Sequence, residues 1–230
     1  TAKIMPTTSQ VAVVTMRDAF EKLLEVGYDV LGIFISAKLS GTMESATLAR
    51  NMLPKAASKI VVLDSNSTSM AMGFHVLSAA RAAQAGASLL ECQKLAEEAQ
   101  KHTGVCFVVD TLEFLRRGGR IGGAQAMLGS ALNLKPLLEL RDGRIEPVEK
   151  VRTKAKAINR MIERIVEHVA NRTPVRLANL HANAESEAAS ALAAAAARLD
   201  PVEQIHASVS PAIGSHSGPG TVGLAYMAGM

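Results

Sequence analysis

Aromatic side chains are scarce in this chain: no tryptophan, two tyrosines and five phenylalanines among 230 residues. Without aromatics interleaved among basic residues there is no platform for stacking bases, which argues against a nucleic-acid-binding module despite a net charge of +4. Cysteine is nearly absent too. Cys92 and Cys106 have no metal-ligand spacing, and they fall in a helical pattern and an apolar strand, so they read as buried thiols rather than a disulfide. His75, His102, His168, His181, His206 and His216 form no H-E-x-x-H pattern, and no metal is expected. Charges interrupt every apolar stretch before the roughly 18 residues a membrane span needs, and no charged-then-apolar leader opens the sequence. The reading is a cytoplasmic protein with no stable membrane anchor.

What is there is aliphatic and periodic. Residues 13–26 carry apolar side chains at helical spacing and stop at Gly27. Strands at 30–35 and 60–63 then alternate with helices at 42–53, 69–85 and 89–101, the last opened by the capping-box pair Ser88 and Glu91. Near-continuous apolar strands between helices predict a parallel sheet covered on both faces.

After Thr103-Gly104 the texture changes. A strand at 105–109 leads to a short helix capped by Asp110 and Glu113 and ended by Gly118-Gly119, then to a helix at 124–132. Asp142-Gly143 between apolar runs at 136–140 and 144–148 is a hairpin signal, so antiparallel pairing enters here. A long amphipathic helix through Ile158, Met161, Ile165 and Val169, a strand at 175–180, an alanine-rich helix at 185–199 and strands at 202–209 and 222–226 complete the pattern. The fold class is therefore α/β in two domains: residues 1–103 with a parallel sheet between helices, and 104–230 as α+β with a mixed or antiparallel sheet.

Three loops share one chemistry: Thr7-Thr8-Ser9-Gln10, Ser36-Ala37-Lys38-Leu39-Ser40-Gly41-Thr42, and Gly214-Ser215-His216-Ser217-Gly218-Pro219-Gly220. The second lies between the strand Ile33-Phe34-Ile35 and a helix, where free N–H groups and the helix dipole favour an anion. It lacks the G-K-[ST] ending that a nucleoside triphosphate requires, so a small anionic head such as a carboxylate fits better. Taken alone, Thr8 reads as a turn residue and Ser40 as a helix cap.

The ordered set Thr8-Ser9-Gln10, Leu39-Ser40-Gly41-Thr42, Leu63-Asp64-Ser65, Thr111 through Ile121, Leu134-Lys135-Pro136, Val151-Arg152 and His216-Ser217-Gly218-Pro219-Gly220 resembles the DegV family over nearly the whole chain. That resemblance implies a bacterial fatty-acid-binding protein, with a long acyl chain buried between two domains and no cofactor besides that ligand. It implies that Thr8 and Ser40 bind the carboxylate, with Ser36, Gly41 and Thr42 as further donors. It also implies a separate fatty-acid kinase as partner, forming an acyl phosphate, with Arg120, Arg152 and His216 facing the phosphate or the kinase. The protein itself would be a carrier, not an enzyme. Two departures stand out: Val11 follows Gln10 where the family commonly has proline, and the family's opening strand with its T-D-S loop does not precede Thr1.

Two competing classes remain. One is an enzyme, a small-molecule phosphotransferase component or a hydrolase using Ser40 and His216, although Gly214-Ser215-His216-Ser217-Gly218 places histidine where a G-x-S-x-G elbow has its nucleophile. The other is a nucleic-acid module built on Arg116 to Arg120, whose signature would be steep salt dependence.

Overall fold

The computed structural model describes residues 6–129 and 134–230. The chain divides into two compact units, Ser9–Lys101 and His102–Met230, the latter also including Thr8.

In the first unit, α1 (Val13–Glu25) buries Met16 and Phe20, one turn apart, and ends before Gly27, whose φ of 95° only glycine adopts without strain. It leads to β1 (Val30–Phe34), α2 (Thr42–Asn51), a 3₁₀ segment Pro54–Lys59, β2 (Ile60–Asp64), α3 (Ser69–Gln84) and α4 (Leu89–His102). β1 and β2 pair in parallel, from Val30 opposite Ile60 to Phe34 opposite Asp64. Val30, Phe34, Ile60 and Val62 pack on α1 and α2, whose Ala46 and Ala49 let the helix approach closely. Leu31, Ile33 and Leu63 face the opposite way, toward Ala79 of α3 and Cys92 and Ala96 of α4. Alternation along each strand thus feeds two separate apolar layers. The capping box opens α4 as expected: the Ser88 backbone N–H donates to Glu91 Oε2 at 2.7 Å, and the Glu91 N–H donates back to Ser88 Oγ at 3.4 Å.

The second unit comprises β3 (Thr103–Val108), α5 (Glu113–Arg117), a 3₁₀ segment Gly122–Met127, β4 (Lys135–Arg141), β5 (Arg144–Val151), α6 (Lys154–Val169), β6 (Val175–Ala182), α7 (Glu185–Leu199), β7 (Glu203–Ile205), α8 (Pro211–Ser217) and β8 (Thr221–Ala228). Its six strands run in the order β5-β4-β3-β8-β6-β7, antiparallel except for the β6–β7 pair. β8 is central and buried along its whole length. α6 and α7 cover one face, placing Met161, Ile165, Val169 and Leu192 against Val108, Leu177 and Leu224. The Asp-Gly hairpin forms as read, with Asp142 at φ 48° and Gly143 at φ 75°, the two left-handed positions of a type I′ turn.

Four local expectations are corrected. The helix expected at 124–132 is, over its described part, the 3₁₀ segment Gly122–Met127; residues 130–132 lie outside the described residues. Thr111 Oγ1, not Asp110, accepts from the Glu113 N–H at 3.2 Å, because the Asp110 carboxylate is taken by Lys135 at 2.9 Å. The strand expected at 202–209 shortens to the three residues of β7. The third glycine-rich loop is largely helical: α8 starts with Ser210 as N-cap and Pro211 in its first turn, and ends at Gly218. Among the described residues, no helix is long and apolar enough to cross a membrane.

Candidate functional site

The turn from β1 into α2 is built around Ser36, which is fully buried. Its carbonyl accepts from the N–H groups of Leu39 and Ser40 at 2.9 and 3.1 Å, and its hydroxyl from the Lys38 N–H at 3.2 Å. Ser36 N–H donates to the Ser67 carbonyl at 2.8 Å, so the loops after β1 and β2 are stitched together. Asp64 completes the stitching: its two oxygens accept from the Ala37 N–H at 3.2 Å and the Asn66 N–H at 2.8 Å. Ser36 and Asp64 are therefore committed to shaping the turn.

Beyond it, Ser40 and Thr42 are both half-buried. Their hydroxyl oxygens lie 3.0 Å apart, and Ser40 Oγ also accepts from the Thr42 N–H at 3.3 Å. The first intrahelical bond of α2 runs from Ser45 N–H to the Gly41 carbonyl, so the N–H groups of Met43 and Glu44 precede the helix's own ladder. If Thr42 donates its hydroxyl proton to Ser40, the Ser40 proton is directed outward, and each bond in such a chain polarises the next. This is a donor array for an acceptor-only group such as an ionised carboxylate.

In the other unit, Thr8 Oγ1 lies 2.7 Å from His216 Nε2. His216 stands near the end of α8, beside α5. A Cβ on Gly118 would fall on the imidazole, 2.9 Å from Cε1, and one on Gly218 would fall on the Phe114 ring, 2.8 Å from Cγ. Two glycines thus let α5 and α8 close on each other. Arg120 folds back to donate to the Gly118 carbonyl at 2.8 Å. Burial lowers the His216 pKa, and the Arg120 charge lowers it further. At neutral pH the cation of this cluster is Arg120, and His216 is a neutral donor or acceptor. The structure brings together Thr8, Arg120 and His216; Arg152 is exposed in the short link between β5 and α6.

A triad built on His216 requires a carboxylate to orient its ring. Its Nε2 is engaged by Thr8, and its buried Nδ1 meets no hydrogen-bonding group among the described residues. Elsewhere Cys106, Glu139 and His168 converge on the α6 side of the sheet. Glu139 is buried, which opposes its ionisation, yet bonds from Arg141 and Arg164 outweigh burial and hold its pKa below the ordinary value. Burial, reinforced by Glu139, raises the Cys106 thiol to about 12. The group is an ion-pair network under α6, and no sequence pattern marks it because Arg164 and Glu139 are 25 residues apart.

The family described as "Uncharacterised protein, DegV family" matches residues 1–229. A DegV domain-containing protein of Streptomyces coelicolor is 41% identical over 220 residues, covering 95% of this chain and 77% of its own. Among solved structures, a DegV family protein from Thermus thermophilus, described by its fatty-acid binding, superposes with a TM-score of 0.91 at 36% identity, over 97% of this chain and 79% of its own. DegV from Bacillus subtilis, described as a fatty acid binding protein, gives a TM-score of 0.85 at 36% identity over the same shares of the two chains, 97% and 79%. With its match running from the first residue to the last but one, the chain belongs to the DegV family.

Proposed function

We propose that this protein binds a long-chain fatty acid and carries it as a ligand, without turning it over. The observation that carries the reading is the hydroxyl pair of Ser40 and Thr42 at a helix N-terminus, in a fold whose solved relatives from Thermus and Bacillus are described as fatty-acid binding. The carboxylate accepts from Ser40, backed by Thr42 and the turn at Gly41. Thr8 is proposed as a further hydroxyl donor to the head group. Hydrogen bonds to a charged group contribute roughly 1.5–3 kcal/mol each, whereas each buried CH₂ contributes about 0.8 kcal/mol. The acyl chain supplies most of the affinity, and the hydroxyls fix where the head group stops.

The finer part of the proposal is that the bound carboxylate is presented to a separate fatty-acid kinase, which converts it to an acyl phosphate. Arg120 supplies a permanent charge suited to phosphate oxygens. Neutral His216 offers a ring nitrogen beside it, and exposed Arg152 is available to a partner surface. Consistent with a cytoplasmic carrier, this reading needs no membrane anchor and no cofactor.

Native mass spectrometry of the purified protein, followed by extraction, tests the first claim: a stoichiometric long-chain fatty acid is expected. An empty protein that also refuses added oleate would overturn it. For the site, Ser40→Ala and Thr8→Ala are each expected to weaken fatty-acid binding about tenfold to a hundredfold. Unchanged retention in the double variant sinks the head-group assignment. ATP-dependent acyl-phosphate formation by this chain alone would replace the carrier reading with an enzymatic one.

A further inference from the structure

Resting on that carboxylate reading, we infer that Gln10 is a positioning residue that sets the head-group selectivity of the Ser40–Thr42 turn, and that Gly41 is glycine in order to admit its side chain. Gln10 lies in the irregular segment ahead of α1, with its Nε2 donating to Ser45 Oγ at 3.0 Å. Ser45 is fully buried one turn into α2, and its N–H makes the helix's first bond, to the Gly41 carbonyl. At its other end the Gln10 amide lies against Gly41: a Cβ there would fall on Oε1 and stand 2.7 Å from Cδ.

Gly41 has φ −72° and ψ 2°, a conformation open to any residue. Its lack of a side chain is therefore a matter of space, and the occupant of that space is Gln10. The amide braces the turn from outside, anchored on the buried hydroxyl of Ser45 and seated on the Cα between Ser40 and Thr42. The Ser36 bonds hold the start of the turn, but Ser40 and Thr42 are tied to each other only by their 3.0 Å hydroxyl contact and a long 3.3 Å bond from the Thr42 N–H to Ser40 Oγ, and the brace supports that end. A turn free to rock would still admit an acyl chain, but would aim its donors poorly at a carboxylate. Gln10 touches no reacting group in this account and acts through Gly41 and Ser45.

The test compares binding of palmitate and hexadecanol, equal in chain length and different in head group, to the full chain and to Gln10→Ala, Gly41→Ala and the double variant. Gln10→Ala is expected to cut the preference for acid over alcohol about fivefold, as loss of one hydrogen bond's net contribution would, with hexadecanol affinity held within about twofold. Gly41→Ala expels the same amide and is expected to cut the preference similarly. The double variant is then no worse than either single one, since the second substitution removes an interaction already lost. Gln10→Ser, also too short to reach Ser45, is expected to behave as Gln10→Ala. A preference retained in Gln10→Ala, or losses that multiply in the double variant, overturns the inference while leaving fatty-acid binding intact. Wild-type protein that takes up neither probe overturns the carboxylate reading itself, and this inference with it.

Discussion

The two units bury their interiors differently. In the unit of β3 to β8 a large apolar cluster sets α6 and α7 across one face of a six-stranded sheet. In the unit of β1 and β2 smaller clusters lie on opposite faces of a two-stranded sheet. Its buried polar groups, Ser36, Ser45, Ser65, Ser67 and His75, gather around the strand ends and the helices that follow them. One unit backs its own buried polar groups, Glu139, Asn179, Ser217 and Thr221, with a large apolar interior, and the other sets its buried polar groups among thinner apolar clusters. The proposed head-group loop stands on the second kind, where fewer apolar contacts resist local opening.

The strongest way to break this contrast is to cut into the large cluster under α6 and α7. Leu177, fully buried in β6, is expected to cost about 2–5 kcal/mol of global stability on substitution by alanine, measured by denaturant unfolding. Native-state hydrogen exchange should then show β8 and β3 losing protection while the opening energy of β1 and β2 stays put. Equal loss in both units would mean that they unfold as one, and the contrast would fail.

His75 sharpens the comparison from the other side. Burial lowers its pKa from 6.5 to about 4, so the native state resists a proton that the unfolded chain accepts. Stability tied to His75 is complete above pH 6.5 and is lost as the pH falls toward 4. With each pKa unit worth about 1.4 kcal/mol, the loss approaches 3 kcal/mol. Unfolding of the β1–β2 unit followed between pH 7 and 4.5 should show it, and His75→Leu should flatten that slope. A slope unchanged in the variant would assign the acid sensitivity elsewhere.

The smallest expected effect is at Ser88. Replacing it with alanine removes the capping box that opens α4 and should cost about 1 kcal/mol. If the thinner unit opens on its own, the loss should appear in exchange of α4 and β1 amides and leave β8 untouched.

Much of this was legible because it is local. The β1-to-α2 turn, the Ser88–Glu91 box, the Asp142-Gly143 hairpin and the boundaries of α7 each follow from residues within a few positions of one another. α8 was missed although Ser210 and Pro211 form an N-cap followed by proline, because the glycines within and after it mask the helical pattern. The 3₁₀ segment Gly122–Met127 misled in the opposite sense: Ala124 and Met127 sit at helical spacing, while Gly122 takes a φ of 54° at the start of the turn. The contact of Thr8 with His216 joins residues 208 positions apart, beyond the reach of any periodicity. The Gln10 brace was hidden for a related reason, since nothing in a sequence marks which glycine is small for the sake of a neighbour.

Gly118 and Gly218 carry a consequence of that kind. The surroundings of His216 are defined as much by the two carbons missing from these positions as by Thr8 and Arg120. A descendant could keep every hydroxyl and every charge of the cluster and still lose its arrangement by gaining a methyl group at either place. Judged by its polar residues alone, such a protein would pass for an unaltered copy.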